Sequence, residues 1–161
     1  MPGVGKSKIS PCLWFDGKAE EAANFYVSLF PDSKIHHIKR WGDDGPYPKG
    51  TALIVIFGLG DQTFEALNGG PQYKFTEAIS LSVDCADQAE VDKYWTALTK
   101  DGGEPGRCGW CKDKYGLSWQ IVPRRFIELI NDKDEARAKR AMEAMMKMSK
   151  LDVAALEKAA A

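Results

Sequence analysis

Charge of one sign, histidine and long apolar runs are what this sequence has least of. Lys plus Arg number 22 and Asp plus Glu number 23, leaving a net charge of -1. That balance offers no surplus of cations to neutralise phosphates, so no nucleic-acid partner is expected. No apolar run approaches the roughly 20 residues needed to cross a bilayer, so no membrane partner is expected either. The only two histidines, His36 and His37, are adjacent. Neighbours in a strand point to opposite faces, so the pair is not expected to enter one metal site. Residues 1–8, MPGVGKSK, carry no apolar core of the kind a secretory signal requires. The four cysteines are therefore expected to be reduced thiols of a cytoplasmic protein. The same stretch holds GVGKS, but a phosphate-binding loop needs a further upstream glycine and a strand to feed it, so a flexible tail is expected.

What is present is ordinary in amount and distinctive in order. A chain of 161 residues that is 44% hydrophobic and 28% charged suits one soluble domain with a real core. Lys8 to Phe15 reads as a strand, and Asp16 starts a helix that Pro31 ends. Strands follow over Lys34 to Trp41, Thr51 to Phe57 and Gln62 to Leu67, the last two joined by a Gly-Leu-Gly-Asp turn. The pattern then restarts. Glu77 to Val83 is a strand, Asp84 starts a helix, Gly102-Gly103 breaks it, and short strands cover Arg107 to Lys112 and Leu117 to Val122. Asp16 precedes Tyr26 by the same interval at which Asp84 precedes Tyr94, and aromatic pairs coincide there. A strand–Asp–helix unit used twice implies two βαβββ modules. The expected fold class is α+β, with curved mixed sheets. The expected organisation is one domain, with modules over 8–71 and 77–123 and a helical extension over 124–161. That extension carries Met142, Met145 and Met146 at helical spacing and a cap at Ser149 or Asp152. It reads as a helix packed on its own domain or a dimer partner, with a Met-rich peptide groove as the alternative.

Alternation along the strands sorts their side chains into two faces. Cys12 with Trp14, Phe64 with Ala66, Ile79 with Leu81 and Val83, and Trp119 with Ile121 are expected to face the helices. Leu13 with Phe15, Thr63 with Glu65, Ser80 with Ser82, and Ser118 with Gln120 are expected to line a mixed polar cavity. The run RCGWCKDKYGLSWQIVP contains a C-x-x-C, Cys108 and Cys111, near strands. A redox pair of this spacing sits at a helix N-terminus, and structural zinc needs four ligands, so a packing pair is expected; spacing alone supports the redox reading.

The segments FDGKAEEAANFY, ALNGGPQYKFTEAISLSVDC and GWCKDKYGLSWQIVP resemble the PhnB-like branch of the glyoxalase/bleomycin resistance (vicinal oxygen chelate) superfamily. Many of its members carry the label 3-demethylubiquinone-9 3-methyltransferase. The resemblance implies paired βαβββ modules and a homodimer. Its metal-ligand positions fall on Pro11, Glu65, Ala78 and Gln120, of which only Glu65 keeps ligand chemistry, so no native metal or other cofactor is expected. Gly58, Gly60, Gly69, Gly70, Gly102 and Gly103 form no G-x-G-x-x-G opening a helix, so the pattern that methyl transfer from S-adenosylmethionine calls for is missing. Glu65 is the candidate catalytic residue, a general base on the cavity face. Gln120, Asn68, Ser80, Ser118, Trp110 and Tyr115 are the candidate ligand contacts. The expected function is binding of a small molecule, with a metal-independent enzyme using Glu65 as the alternative.

Overall fold

The computed structural model describes residues 7–161, and the tail reading of residues 1–6 lies outside them. The chain divides into two compact units between Lys74 and Phe75. In the first, β1 (Cys12–Phe15), α1 (Ala19–Leu29), β2 (Lys34–Arg40), β3 (Ala52–Leu59) and β4 (Gln62–Asn68) form a sheet of order β1-β4-β3-β2. In the second, β5 (Ser80–Cys85), α2 (Gln88–Thr99), β6 (Glu104–Pro105), β7 (Trp110–Lys112) and β8 (Ser118–Pro123) form a sheet of order β5-β8-β7-β6. Each sheet pairs its first and last strands in parallel and the rest antiparallel. The two βαβββ modules expected from the repeat are therefore present, with the same strand order.

The helices begin later than Asp16 and Asp84 suggested. Asp16 accepts a hydrogen bond from the Tyr47 hydroxyl, and the first amide of α1, Ala19 N, donates to the Asn68 side chain instead. Asp84 pairs with Arg124. The cap of α2 is Asp87, which accepts from Glu90 N, while the Glu90 carboxylate accepts from Ala86 N. This reciprocal pattern is a capping-box variant that satisfies two otherwise orphaned donors.

In the first unit α1 covers one sheet face with Ala22, Ala23 and Tyr26. Tyr26 stacks on Phe57, which stacks on its cross-strand partner Phe64. Leu13 and Phe15 are buried with them at 5% and 4% exposure, whereas Cys12 pairs with Glu65 and Trp14 with Leu67. Register thus corrects the expected faces of β1: Trp14 lies on the Glu65 face, where its indole donates to Gly70 O and meets Tyr73 edge-on. A bulge between Ile35 and His37 corrects the histidine expectation as well. His37 pairs with Ile56, and the His36 imidazole lies against Gly58, so the bulge brings both to the Glu65 face.

In the second unit Val91, Tyr94 and Leu98 of α2 pack on a sheet core that includes Cys111, Trp119 and Ile121. Pro11, Ala78 and Ile79 lie outside the strands. Three helices follow β8: α3 (Arg124–Ile130), α4 (Glu135–Met145) and α5 (Val153–Ala160). They enclose a small core of their own from Phe126, Leu129, Ala141, Leu151, Leu156 and Ala160, with Met145 packed against it. Asp152 caps α5, as one of the two expected caps. Met142 and Met146 stay outside at 37% and 57% exposure.

Candidate functional site

The polar face of the second sheet follows from its register. Ser80 pairs with Ser118, Ser82 with Gln120, Trp110 with Gln120 and Lys112 with Ser118. Paired residues share a face, so Trp110, Lys112, Ser118 and Gln120 stand together, opposite the Cys111–Trp119 side. Above them lies a hollow of about 250 Å³ lined by Glu77, Glu104, Gly106, Trp110, Lys112 and Ser118, among others. Ser118 is 1% exposed and its hydroxyl has no hydrogen-bond partner among the described residues. A buried hydroxyl without a partner is costly. Two of the other polar side chains nearby, Gln120 and Lys112, are paired. Gln120 donates to the Ser80 hydroxyl at 2.9 Å, and the Lys112 ammonium meets the Glu77 carboxylate at 2.5 Å. That contact holds Glu77 below the usual carboxylate range and raises Lys112.

Not every expected contact gathers here. Asn68 lies in the first unit, on the helix side, 1% exposed. Its oxygen accepts from Ala19 N and its amide donates to Ala52 O, so both ends are committed to holding α1 and β3. Tyr115 belongs to the β7–β8 turn, under the Lys114 ammonium, and does not line the hollow. Glu77, Glu104 and Lys112 were not singled out in the sequence. Lys112 was within reach, because it alternates with Cys111 and so shares the face of Trp110.

Glu65 stands half-buried on the face of the first sheet opposite α1, between Cys12 and Ile56. Among the described residues no side chain forms a hydrogen bond or ion pair with its carboxylate. Its charge, after burial, raises the Cys12 thiol. The repeat gives it a counterpart. Cys12 precedes Asp16, and Ser80 precedes Asp84, by the same interval; Cys12 pairs with Glu65, and Ser80 with Ser118. Ser118 therefore occupies the level of Glu65 in the second unit, and Gln120 the level of Leu67. The described residues contain no group of three or more His, Cys, Asp or Glu arranged to hold a metal ion.

The cysteine pair has separate environments. Cys111 is 2% exposed, and burial pushes its thiol up to about 12. Cys108 sits in the preceding loop at a φ of 57°. The C-terminal extension braces that loop: Cys108 N donates to Met148 O, Gly109 N to Ser149 O, and the Ser149 hydroxyl to Gly106 O.

Fold and face together define a protein of paired βαβββ modules, each with a mixed-polarity sheet face opposite its helix. Residues 7–122 match the sequence profile of the family described as 3-demethylubiquinone-9 3-methyltransferase, and the chain belongs to that family. Among solved structures, a PhnB protein from Bacillus cereus that carries this label provisionally is 37% identical. The match covers 73% of this chain and 99% of that one, with a TM-score of 0.68. Protein PA1353 from Pseudomonas aeruginosa shares the fold at 21% identity and a TM-score of 0.60, over 73% and 98% of the two chains. A glyoxalase/bleomycin resistance protein from Albidiferax ferrireducens aligns at 15% identity and a TM-score of 0.46, over 73% and 99%. No curated protein matches significantly. The PhnB-like resemblance holds. The helices α3 to α5 lie beyond the matched stretch. No helix among the described residues is long and apolar enough to cross a membrane.

Proposed function

We propose that this chain binds a small organic molecule on the face of its second sheet opposite α2, without a native metal, as a cytoplasmic homodimer. One observation carries the reading: the Ser118 hydroxyl, buried and unpartnered, at a hollow walled by Trp110. A ligand polar group there would satisfy the hydroxyl while its apolar part covers the indole. Recognition sites combine apolar walls with a few placed polar groups in this way. Ser80 orients Gln120 beside Trp110 as a further contact. Metal independence is supported by the donor set, since among the described residues the hollow has only two carboxylates, Glu77 and Glu104, the first of them taken by Lys112, and a catalytic metal takes about three protein ligands. The homodimer is supported by the exposed apolar side chain of Ile79, 69% accessible just before β5. Methyl transfer is not part of the reading, because no glycine-rich turn opens α1 or α2 for a nucleotide-like cofactor.

A fragment screen by thermal shift, repeated after exhaustive chelation, tests this. Hits are expected to survive chelation and to weaken at least about tenfold in Ser118→Ala, the scale of one well-made hydrogen bond in a dry site. Hits indifferent to Ser118→Ala and Trp110→Ala, or lost on chelation, would refute it. Glu65 supports a second reading, a metal-independent enzyme, because its half-buried carboxylate has no protein partner. In that case Glu65→Gln should retain ligand affinity and lower turnover by about 100-fold.

A further inference from the structure

We propose that the hollow at Ser118 takes an organic ammonium ion with a flat apolar body. The inference rests on the binding reading above and adds the charge class of the ligand. Three charged side chains line the hollow, Glu77, Glu104 and Lys112. Lys112 is already neutralised by Glu77. Glu104 is paired with Lys112 in the β6–β7 register and its charge acts on that ammonium, but its carboxylate forms no ion pair or hydrogen bond among the described residues. The hollow therefore carries one carboxylate in excess, and its unsatisfied charge is negative. An anionic ligand would have to displace Glu77 from Lys112 and face Glu104. An ammonium ion needs neither rearrangement.

The neutral parts of the hollow fit the same class. A serine hydroxyl can accept as well as donate, so Ser118 offers the N–H of an ammonium an acceptor that no protein group uses. Trp110 supplies the aromatic face over which cations are held best. Together these give the ammonium a carboxylate, a hydroxyl and a ring, and give an attached apolar body the remainder of the indole.

Three matched probes separate the possibilities: benzylamine, benzyl alcohol and benzoate, titrated at pH 7 while the Trp110 indole N–H is followed by NMR, assigned with Trp110→Phe. Benzylamine should move the Trp110 signal and bind at least about tenfold more tightly than benzyl alcohol, the scale of one charge-assisted hydrogen bond. Benzoate should bind least. Glu104→Gln should bring benzylamine down to the affinity of benzyl alcohol with little change in the melting temperature, because the Glu104 carboxylate holds no hydrogen bond or ion pair among the described residues. Ser118→Ala should weaken both probes. Equal affinity for the three probes, or preference for benzoate, would overturn the charge class and leave the hollow as a neutral or anion site. No response of Trp110 to any probe would overturn the site itself, and this inference with it.

Discussion

Asp113 is the most tightly committed side chain in the second unit, and its replacement has a calculable cost. The residue is 2% exposed. Its carboxylate accepts from Tyr115 N at 2.9 Å, Leu117 N at 3.1 Å and the Trp119 indole at 2.9 Å. These bonds close the turn from β7 to β8 and fix the indole of the largest core side chain. Asp113→Ala leaves three donors without an acceptor. Each buried donor so orphaned costs about 1–3 kcal/mol. Tyr115 N is only half-buried and recovers part through water, so the sum is about 3–6 kcal/mol. That is a large share of the roughly 5–15 kcal/mol that holds a domain folded. Asp113→Asn keeps one oxygen for the backbone donors but turns an amide towards the indole N–H, costing about 1–3 kcal/mol. Urea titrations at pH 7 with linear extrapolation should order stability as wild type, then Asp113→Asn, then Asp113→Ala. Asp113→Ala within about 1 kcal/mol of wild type would refute the assignment, because that is the ordinary effect of an unremarkable substitution.

Two further outcomes follow from burial and from backbone contact. With iodoacetamide at pH 8, the exposed Cys12 and the part-exposed Cys108 should be modified, while Cys85 and Cys111, both buried and both pushed up to about 12 by burial, stay intact in the native protein; mass spectrometry showing Cys111 alkylated alongside Cys108, or a disulfide between them, would revive the redox reading. Gly103→Ala would drive a Cβ into the Leu98 carbonyl oxygen and to 2.8 Å from Thr99 Cα and 2.9 Å from Lys112 O; since all three are backbone atoms, thermal unfolding should report a loss of about 2 kcal/mol or more.

The duplicated architecture was legible because it is written in local signals: strand-length apolar runs, Gly–Pro punctuation and the repeated Asp-to-Tyr interval. The faces were legible only where alternation is unbroken. Ser118 with Gln120 and Thr63 with Glu65 keep their parity, so their side of the sheet could be read directly. β1 was misread because Cys12 and Trp14 look no less apolar than Leu13 and Phe15, and only the Cys12–Glu65 register decides. The histidine pair was misread because a bulge adds a residue that no periodicity announces. Helix starts were placed early because Asp16 and Asp84 look like caps, yet long-range partners claim them: Tyr47 for the first and Arg124 for the second. The ionised rim of the hollow was missed for a similar reason. Glu77 reaches Lys112 from a turn far away in sequence, and a pairing of that kind exists only once the sheet is built.

The brace between the C-terminal extension and the loop before β7 sets an order of assembly during synthesis. Trp110 and Gly106 line the hollow, but the partners that hold their loop, Met148 O and Ser149, come at the end of the chain. At translation speeds of about 5–20 residues per second, roughly 2–8 seconds separate the appearance of Arg107 from that of Ser149. During that interval β5, β7 and β8 can pair, and Ile121 N can already donate to Gly109 O, while the bonds to Met148 O and Ser149 are still missing. A chain interrupted after β8 would carry every residue of the family-matched stretch, together with Trp110 and Ser118, and still lack the brace. Messages that end early would therefore yield a chain holding the residues of the hollow but not the bonds to Met148 and Ser149 that tie its loop to the C-terminal extension.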